Sequence, residues 1–354
     1  MAREPRGARR GRARRRRRPG PPPPLGLGRD DRVRAPGRPR RARSQPGDAL
    51  LHLRKRDDSE DRGRSLVNVL DLCGGIGVLG RAFELEGFDV MAAWELDDKR
   101  ASCYEQNTDA TCNVADVTDL DAADLAAYSP PNQTVVIGGI PCQTYSQANN
   151  NAEHDTSLRD AVLDLVDAYD PAATALENVM LGWQGIDNVT KVRDCDVGGY
   201  TIRERGFKGL HNPPPRTHGD PGQARLDGQR LEPINGWAEA LPGDENLMAD
   251  FQQQAAYRDR NRLPVLPGHE PGYTLTSKSV NGFLLWDEAN RSSIRWLDTD
   301  DMARLHGMDP DKWTFPETKT ATAAAIGDSV PLAMGRAVAR QLRRQIPTLE
   351  LTDG

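Results

Sequence analysis

Apolar and polar positions begin to separate into a regular pattern near Ser65. Leu66-Val67-Asn68-Val69-Leu70-Asp71-Leu72 is a short, almost continuous apolar run that ends in Cys73-Gly74-Gly75-Ile76-Gly77. That pattern predicts a buried strand running into a glycine turn. A helix is expected from about Leu79 to Glu86, a second strand over Val90–Trp94 ending on Glu95, and a helix over Lys99–Asn107. Asn113-Val114-Ala115-Asp116-Val117 reads as a further strand end, and Thr134-Val135-Val136-Ile137 as a strand that stops at Gly138-Gly139. Between Leu158 and Tyr169 the residues Ala161, Leu163, Leu165, Val166 and Ala168 make a helical face that Pro171 terminates. Thr174-Ala175-Leu176 is a short strand before Glu177. Strands alternating with helices predict an α/β fold with a doubly wound parallel sheet.

The pattern changes over residues 206–290, which are rich in Pro, Gly, Gln and charge, with brief apolar pieces such as Phe283-Leu284-Leu285-Trp286. A small irregular lobe is expected there. Beyond it, Asp300–His306 and Ala333–Leu342 are expected helices, the second packing back on the first lobe. The expected organisation is a basic extension (1–64), a main domain (65–205), the small lobe (206–290) and a returning C-terminal segment (291–354).

Charge sharpens the first boundary. Residues 1–64 carry 22 Lys/Arg against 8 Asp/Glu, whereas the remainder carries 25 against 44. With Arg14–Arg18, Pro21–Pro24 and few large apolar residues, the first segment cannot bury enough surface to offset its ordering entropy, and disorder is expected. It reads either as a nucleic-acid-binding arm or, the preferred reading, as a non-native extension of GC-rich coding text. No run of 18 apolar residues exists, so neither a membrane span nor a secretory signal is expected. The cysteines are Cys73, Cys103, Cys112, Cys142 and Cys195, an odd number without a CxxC pair. That argues against a disulfide framework or a metal site, and for a reducing cytoplasm with a thiol free to react.

Three polar signals follow strand ends, where open α/β sheets bind ligands. The first is the glycine turn, with Gly75, Gly77 and Gly80 at G-x-G-x-x-G spacing and Glu95 about twenty residues on, where an acid suits a ribose diol. The second is Gly138-Gly139-Ile140-Pro141-Cys142-Gln143-Thr144-Tyr145-Ser146, a cysteine in a polar loop that is poorly suited to core packing. The third is Glu177-Asn178-Val179. A thiol and a carboxyl group on neighbouring strand ends supply a nucleophile and an acid.

These strings resemble the cytosine-C5 DNA methyltransferase family. The Cys142 loop is similar to its G-P-P-C-Q-x-F-S, Leu176–Val179 to its E-N-V, and Asp71–Gly77 to its D-L-F-x-G-x-G. Gly327-Asp328-Ser329-Val330-Pro331 resembles G-N-S-V-P, and Arg295-Trp296-Leu297 with Arg304-Leu305-His306-Gly307-Met308 resembles R-x-L…R-L-x-G-F. Asp196–Arg205 resembles D-Y-G-V-P-Q-x-R-x-R, with Arg203 and Arg205 as the arginine pair. Departures are Cys73 for a phenylalanine, Val78 for a glycine, Thr201 for a glutamine, Tyr200 for a proline and Asp328 for an asparagine. The 23 residues between Val179 and Arg203 are also short for the family, which implies a missing helix and strand.

The resemblance implies a Rossmann-like methyltransferase sheet with a small target-recognition lobe, S-adenosylmethionine as cofactor and double-stranded DNA as substrate. It implies Cys142 as nucleophile, Glu177 as the acid at N3 of the base, Arg205 on the base carbonyl and Arg203 supporting the catalytic loop. Asp71, Cys73, Gly75 and Gly77 would line the methionine part of the cofactor, Glu95 its ribose and Asp116 its adenine amino group. Ser329 and Val330 would close the pocket. A flipped base is required because the target atom is inaccessible in a duplex, and the loop from Gln143 to about His154 would be a lid. A monomer is expected; restriction-linked (with a cognate endonuclease), orphan and viral roles all stay open. The rival readings are a tRNA cytosine methyltransferase of the same family, whose short Cys-Phe-Thr signature is not seen in 206–290, and a catalytically impaired DNA-binding relative. For a DNA binder the acidic body means either that positive charge is local to a cleft or that the protein works in high salt.

Overall fold

The computed structural model describes residues 67–141, 155–220, 222–225, 227–241, 247–250, 265–277, 279–280, 283–287 and 292–346. Cys142, the proposed lid and the basic extension lie outside the described residues.

The periodicity of the first half produces strand β1 (Asn68–Leu72), helix α1 (Val78–Leu85), β2 (Asp89–Glu95), α2 (Asp98–Asn107) and β3 (Thr111–Val114). A short helix α3 (Ala122–Ala126), β4 (Thr134–Gly139), α4 (Ser157–Tyr169) and β5 (Ala173–Asn178) follow. Asp97 starts α2 by accepting from the backbone N–H groups of Lys99 and Arg100, which satisfies donors that the first helical turn leaves free. The strands join β6 (Val189–Arg193) and β7 (Glu204–Lys208) in one sheet of order β3-β2-β1-β4-β5-β7-β6.

Strands β1 to β5 are mutually parallel, as expected, but β7 is antiparallel to both neighbours, so the sheet is mixed. Strand β6 lies within the segment that is short for the family, so no strand is missing there. What replaces a helix between β5 and β6 is a single 3-10 turn, Met180–Trp183. Trp183 anchors it: its indole N–H donates to the Gly206 carbonyl at 2.9 Å.

Both sheet faces are covered, which explains why the strands read as apolar runs. Val69, Val135 and Ile137 turn to the side of Phe83, Tyr104 and Val338; Leu70, Val136 and Leu176 turn to the side of Leu125, Val162 and Val166. The small lobe is more regular than its composition suggested. β10 (Leu247–Asp250), β11 (Val265–Pro267), β12 (Leu284–Asp287) and β13 (Ser292–Trp296) form an antiparallel sheet of order β11-β10-β12-β13. Two short strands, β8 (His218–Gly219) and β9 (Glu232–Pro233), pair with each other. Trp237, Leu275, Leu285, Met302 and Ile326 form the second core.

The C-terminal segment supplies α5 (Thr299–Leu305), α6 (Lys319–Asp328) and α7 (Leu332–Gln345). Helix α7 packs on α1, as expected. Arg336 and Arg340 both bind the Glu86 carboxylate, at 2.6 and 2.8 Å, and the Arg343 guanidinium lies 4.5 Å from the Phe88 ring centre. Among the described residues no helix is long and apolar enough to cross a membrane. The two helices approach so closely at Gly335 that an added Cβ would stand 2.7 Å from the Ala82 Cβ. Gly335→Val should therefore destabilise the chain by about 1–3 kcal/mol through overpacking, measured as a lower midpoint of urea unfolding.

Candidate active site

The C-terminal ends of β1, β2, β4 and β5 open into one cavity of about 700 Å³, a volume suited to a cofactor-sized ligand. Its floor is Asp71 and the turn Cys73–Ile76; one wall is Glu95–Asp97 with Arg100. The opposite wall is Gly139–Pro141 and Glu177–Val179, backed by Arg203 and Arg205, and Gly327–Val330 closes it. Glycine is needed in this turn: Gly77 has φ +89°, and a Cβ there would meet Thr108 at 2.9 Å. A Cβ on Gly75 would meet nothing within 4 Å, so its backbone borders open space. Its N–H donates to Glu95 at 2.9 Å, and the other Glu95 oxygen accepts from the Asp97 N–H at 2.9 Å, which fixes the carboxylate at the cavity wall.

Asp71 is fully buried beneath the turn. It accepts from the Tyr104 hydroxyl at 2.9 Å, while its Oδ1 has no hydrogen-bond partner. Burial pushes its pKa up to about 7 against the opposing pull of that hydrogen bond. Cys73 takes a left-handed conformation, φ +58°, and burial pushes its thiol up to about 12. Burial likewise raises the thiols of Cys103, Cys112 and Cys195, so each of the four described cysteines disfavours the thiolate.

At the other end, Glu177 is buried and its Oε1 lies 2.8 Å from Arg205 Nε. Burial raises its pKa, and the Arg205 and Arg203 charges oppose that rise. The result is a carboxyl group that holds a proton more readily than a solvated one yet stays oriented by a guanidinium. Arg203 is deeper still, 1 % exposed, and donates to the carbonyls of Leu275 (2.9 Å) and Gly327 (2.8 Å); burial lowers it to about 9. Its guanidinium thus supports the wall formed by Gly327–Val330. Ser329 donates to the Ile326 carbonyl at 2.8 Å and lies 3.3 Å from the buried imidazole of His306.

Two sequence-chosen residues do not line the cavity. Gly77 shapes the turn from behind. Asp116 caps the turn Val117–Asp119, accepting from the Thr118 N–H at 3.0 Å and the Thr118 hydroxyl at 2.7 Å. Conversely, sequence reasoning missed Tyr104, Arg100 and His306. Tyr104 sits at a helical position that carried no chemical signal. Arg100 reaches across the cavity to Asp328 at 2.9 Å. The clue lay at Asp328: an acid in place of the asparagine of the resembled motif calls for a cation nearby.

The family model for C-5 cytosine-specific DNA methylase matches residues 67–182 and 242–344. The type II methyltransferase M.HgiDI of Herpetosiphon aurantiacus is 25% identical over 305 residues, covering 78% of this chain and 94% of its own. M.NlaX, the type II methyltransferase of Neisseria lactamica, is 26% identical over 318 residues, covering 78% and 96%. In fold, the chain is similar to the Dnmt2 methyltransferase of S. pombe, with TM-score 0.54 and 15% identity over 78% or more of both chains (79% and 99%).

The raised Asp71 carboxyl has a measurable consequence. Its pKa is higher folded than unfolded, so the native state keeps a proton that the unfolded chain releases. Stability should then fall as pH rises from about 4 to about 7. Asp194 and Glu177, also raised by burial, act in the same direction. Asp71→Asn should flatten this decline without abolishing it, as read from denaturant midpoints between pH 4 and pH 8; an unchanged slope would contradict the assignment.

Proposed function

The chain belongs to the C-5 cytosine-specific DNA methylase family, and from that premise we propose that it methylates C5 of a cytosine flipped out of double-stranded DNA, with S-adenosylmethionine as donor and Cys142 as nucleophile. The observation that carries this reading is the buried Glu177–Arg205 pair on the wall of a cavity that also takes in Pro141, the residue before Cys142. The four described cysteines all have raised thiols, which favours Cys142 as the reactive one.

The residues present suit the cofactor. Gly75 leaves backbone bordering open space, Glu95 offers a fixed carboxylate for a ribose diol, and Asp71 and Cys73 floor the methionine end. Asp116 holds Thr118 through its Oδ1 alone, so it would reach the adenine amino group through its other carboxylate oxygen. Ser329 and Val330 would close the pocket from the C-terminal side. S-adenosylmethionine supplies an electrophilic methyl group on a sulfonium.

Cytosine C5 is a poor nucleophile, and covalent attack at C6 divides one hard step into easier ones. Cys142 forms the bond to C6, and Glu177 places a proton on N3, which makes C6 electrophilic. Arg205 orients Glu177 and contacts the base carbonyl, while Arg203 fixes the wall behind them. After methylation, loss of the C5 proton and release of Cys142 restore the aromatic ring. The type II names of the relatives favour a restriction–modification setting with a cognate endonuclease.

Duplex DNA carrying 5-fluorocytosine tests the mechanism, because fluorine at C5 blocks the final elimination. A complex resistant to denaturing gel electrophoresis should form with the wild type, Cys103→Ser and Cys112→Ser, and should vanish with Cys142→Ser. Trapping that survives Cys142→Ser would overturn the assignment. Glu177→Gln keeps the shape of the acid but cannot pass the proton in the same way. Single-turnover methylation should fall ~10²–10⁴-fold, with duplex affinity almost unchanged. If affinity and rate fell together, Glu177 would be a structural residue.

A further inference from the structure

The net charge of residues 65–354 is strongly negative, with 25 Lys/Arg against 44 Asp/Glu, yet the proposed substrate is a polyanion. Phosphate contacts need cations, so a local gathering of positive charge is where a duplex would be held. A second cavity, about 730 Å³ and separate from the cofactor cavity, gathers it. It is lined by Lys191, Arg193, Arg216 and Arg225 with only Asp196 and Asp227 as acids, and Pro213–Pro215 form part of its wall.

Its position follows from the sheet. β6 is the last strand in the order, and it runs antiparallel to β7, hence in the same direction as β1 to β5. Arg193, the last residue of β6, therefore stands at the sheet end that carries Glu177 and the cofactor cavity. The neighbouring segment is seated there by the Thr217 N–H, which donates to the Asp196 carbonyl at 2.9 Å. One carboxylate oxygen of Asp196 accepts from both Arg193 (2.8 Å) and Arg216 (3.2 Å), so two guanidiniums share one negative charge. The Arg193 side chain is 39% exposed, so part of its guanidinium can be reached by an anion from the cavity. Lys191 is more than half exposed and, among the described residues, pairs with the partly exposed carboxylate of Glu204 at 3.1 Å.

We propose that this cavity seats the phosphodiester backbone of the DNA that flanks the target cytosine, with Lys191, Arg193 and Arg216 as the phosphate contacts. The proposal rests on the methyltransferase reading above. It assigns to the edge of the main sheet a share of DNA affinity that carries no sequence information, because phosphate contacts position a duplex while base contacts specify it.

The test uses the full chain with Lys191→Gln, Arg216→Gln and the double variant, none of them in the cofactor cavity. Binding to target and non-target duplexes is measured across a salt series, beside the rise in Tm caused by S-adenosylmethionine. Each lost phosphate contact should lower the slope of log K against log salt by about 0.9. The double variant should bind both duplexes several-fold more weakly at low salt, and the cofactor-induced rise in Tm should stay as in the wild type. Lys191→Gln alone keeps the test decisive should Arg216→Gln fail to fold. Unchanged slopes in folded variants, beside a wild type that methylates duplex DNA, would overturn this proposal alone. So would stabilisation by inorganic pyrophosphate that the variants lose while DNA slopes stay fixed, since the cavity would then serve a free anion. A wild type that neither binds nor methylates duplex DNA would overturn the methyltransferase reading and this proposal with it.

Discussion

The arrangement turns on one buried cation. Removing a guanidinium from water costs several kcal/mol unless its donors are satisfied. Arg203 meets most of that demand with the carbonyls of Leu275 and Gly327, which lie 72 and 124 residues further along the chain, and leaves only its Nε without a partner among the described residues. Small lobe, C-terminal segment and main sheet are thereby tied at a single point. Arginine suits this role because its planar fork can address two acceptors at once, which a lysine ammonium does less well. The positive charge held there also opposes the burial that raises Glu177, and it helps keep His306 neutral. One residue thus supports the cavity wall and tunes the acid behind it.

The departures from the family pattern become intelligible as paired changes. Asp328 stands where the resembled motif has an asparagine, and Arg100 meets it at 2.9 Å across the cavity. Thr201, in place of a glutamine, donates its hydroxyl to the buried Asp194 at 2.7 Å and so holds the loop between β6 and β7. Cys73, in place of a phenylalanine, has a positive φ in the glycine turn and offers no ring to the cavity.

Much of the main sheet could be read from the sequence because its strands are covered on both faces and its helices have clear apolar stripes. The strand ends carrying Asp71, Glu95 and Glu177 followed directly, since a run of apolar residues stops where the sheet stops. The antiparallel insertion of β7 between β5 and β6 was not legible: Glu204-Arg205-Gly206-Phe207-Lys208 is mostly polar, and its place is set by pairing with distant strands. The small lobe reads as irregular because its strands have only two to five residues and the order in its larger sheet is not sequential. Asp116 was chosen among several nearby aspartates; it caps the turn Val117–Asp119, which sequence pattern alone did not show, and it does not line the cavity. The cationic cavity escaped notice because its residues are scattered over 191–231 in an otherwise acidic chain.

The closure of the cavity by Gly327–Val330, and of the sheet by α7 against α1, bears on how the protein is born. The first strand and the glycine turn leave the ribosome hundreds of residues before the helix that covers them. Until α7 emerges, the side of α1 around Ala82 that Gly335 covers stays open, and the cavity lacks the wall that Gly327–Val330 supplies. A nascent chain therefore completes this packing and the cavity wall only after residues 327–345 have emerged. Vectorial synthesis thus separates the making of the sheet from the making of the cavity, because the first strand of the sheet and the helix that follows the cavity wall lie more than two hundred residues apart.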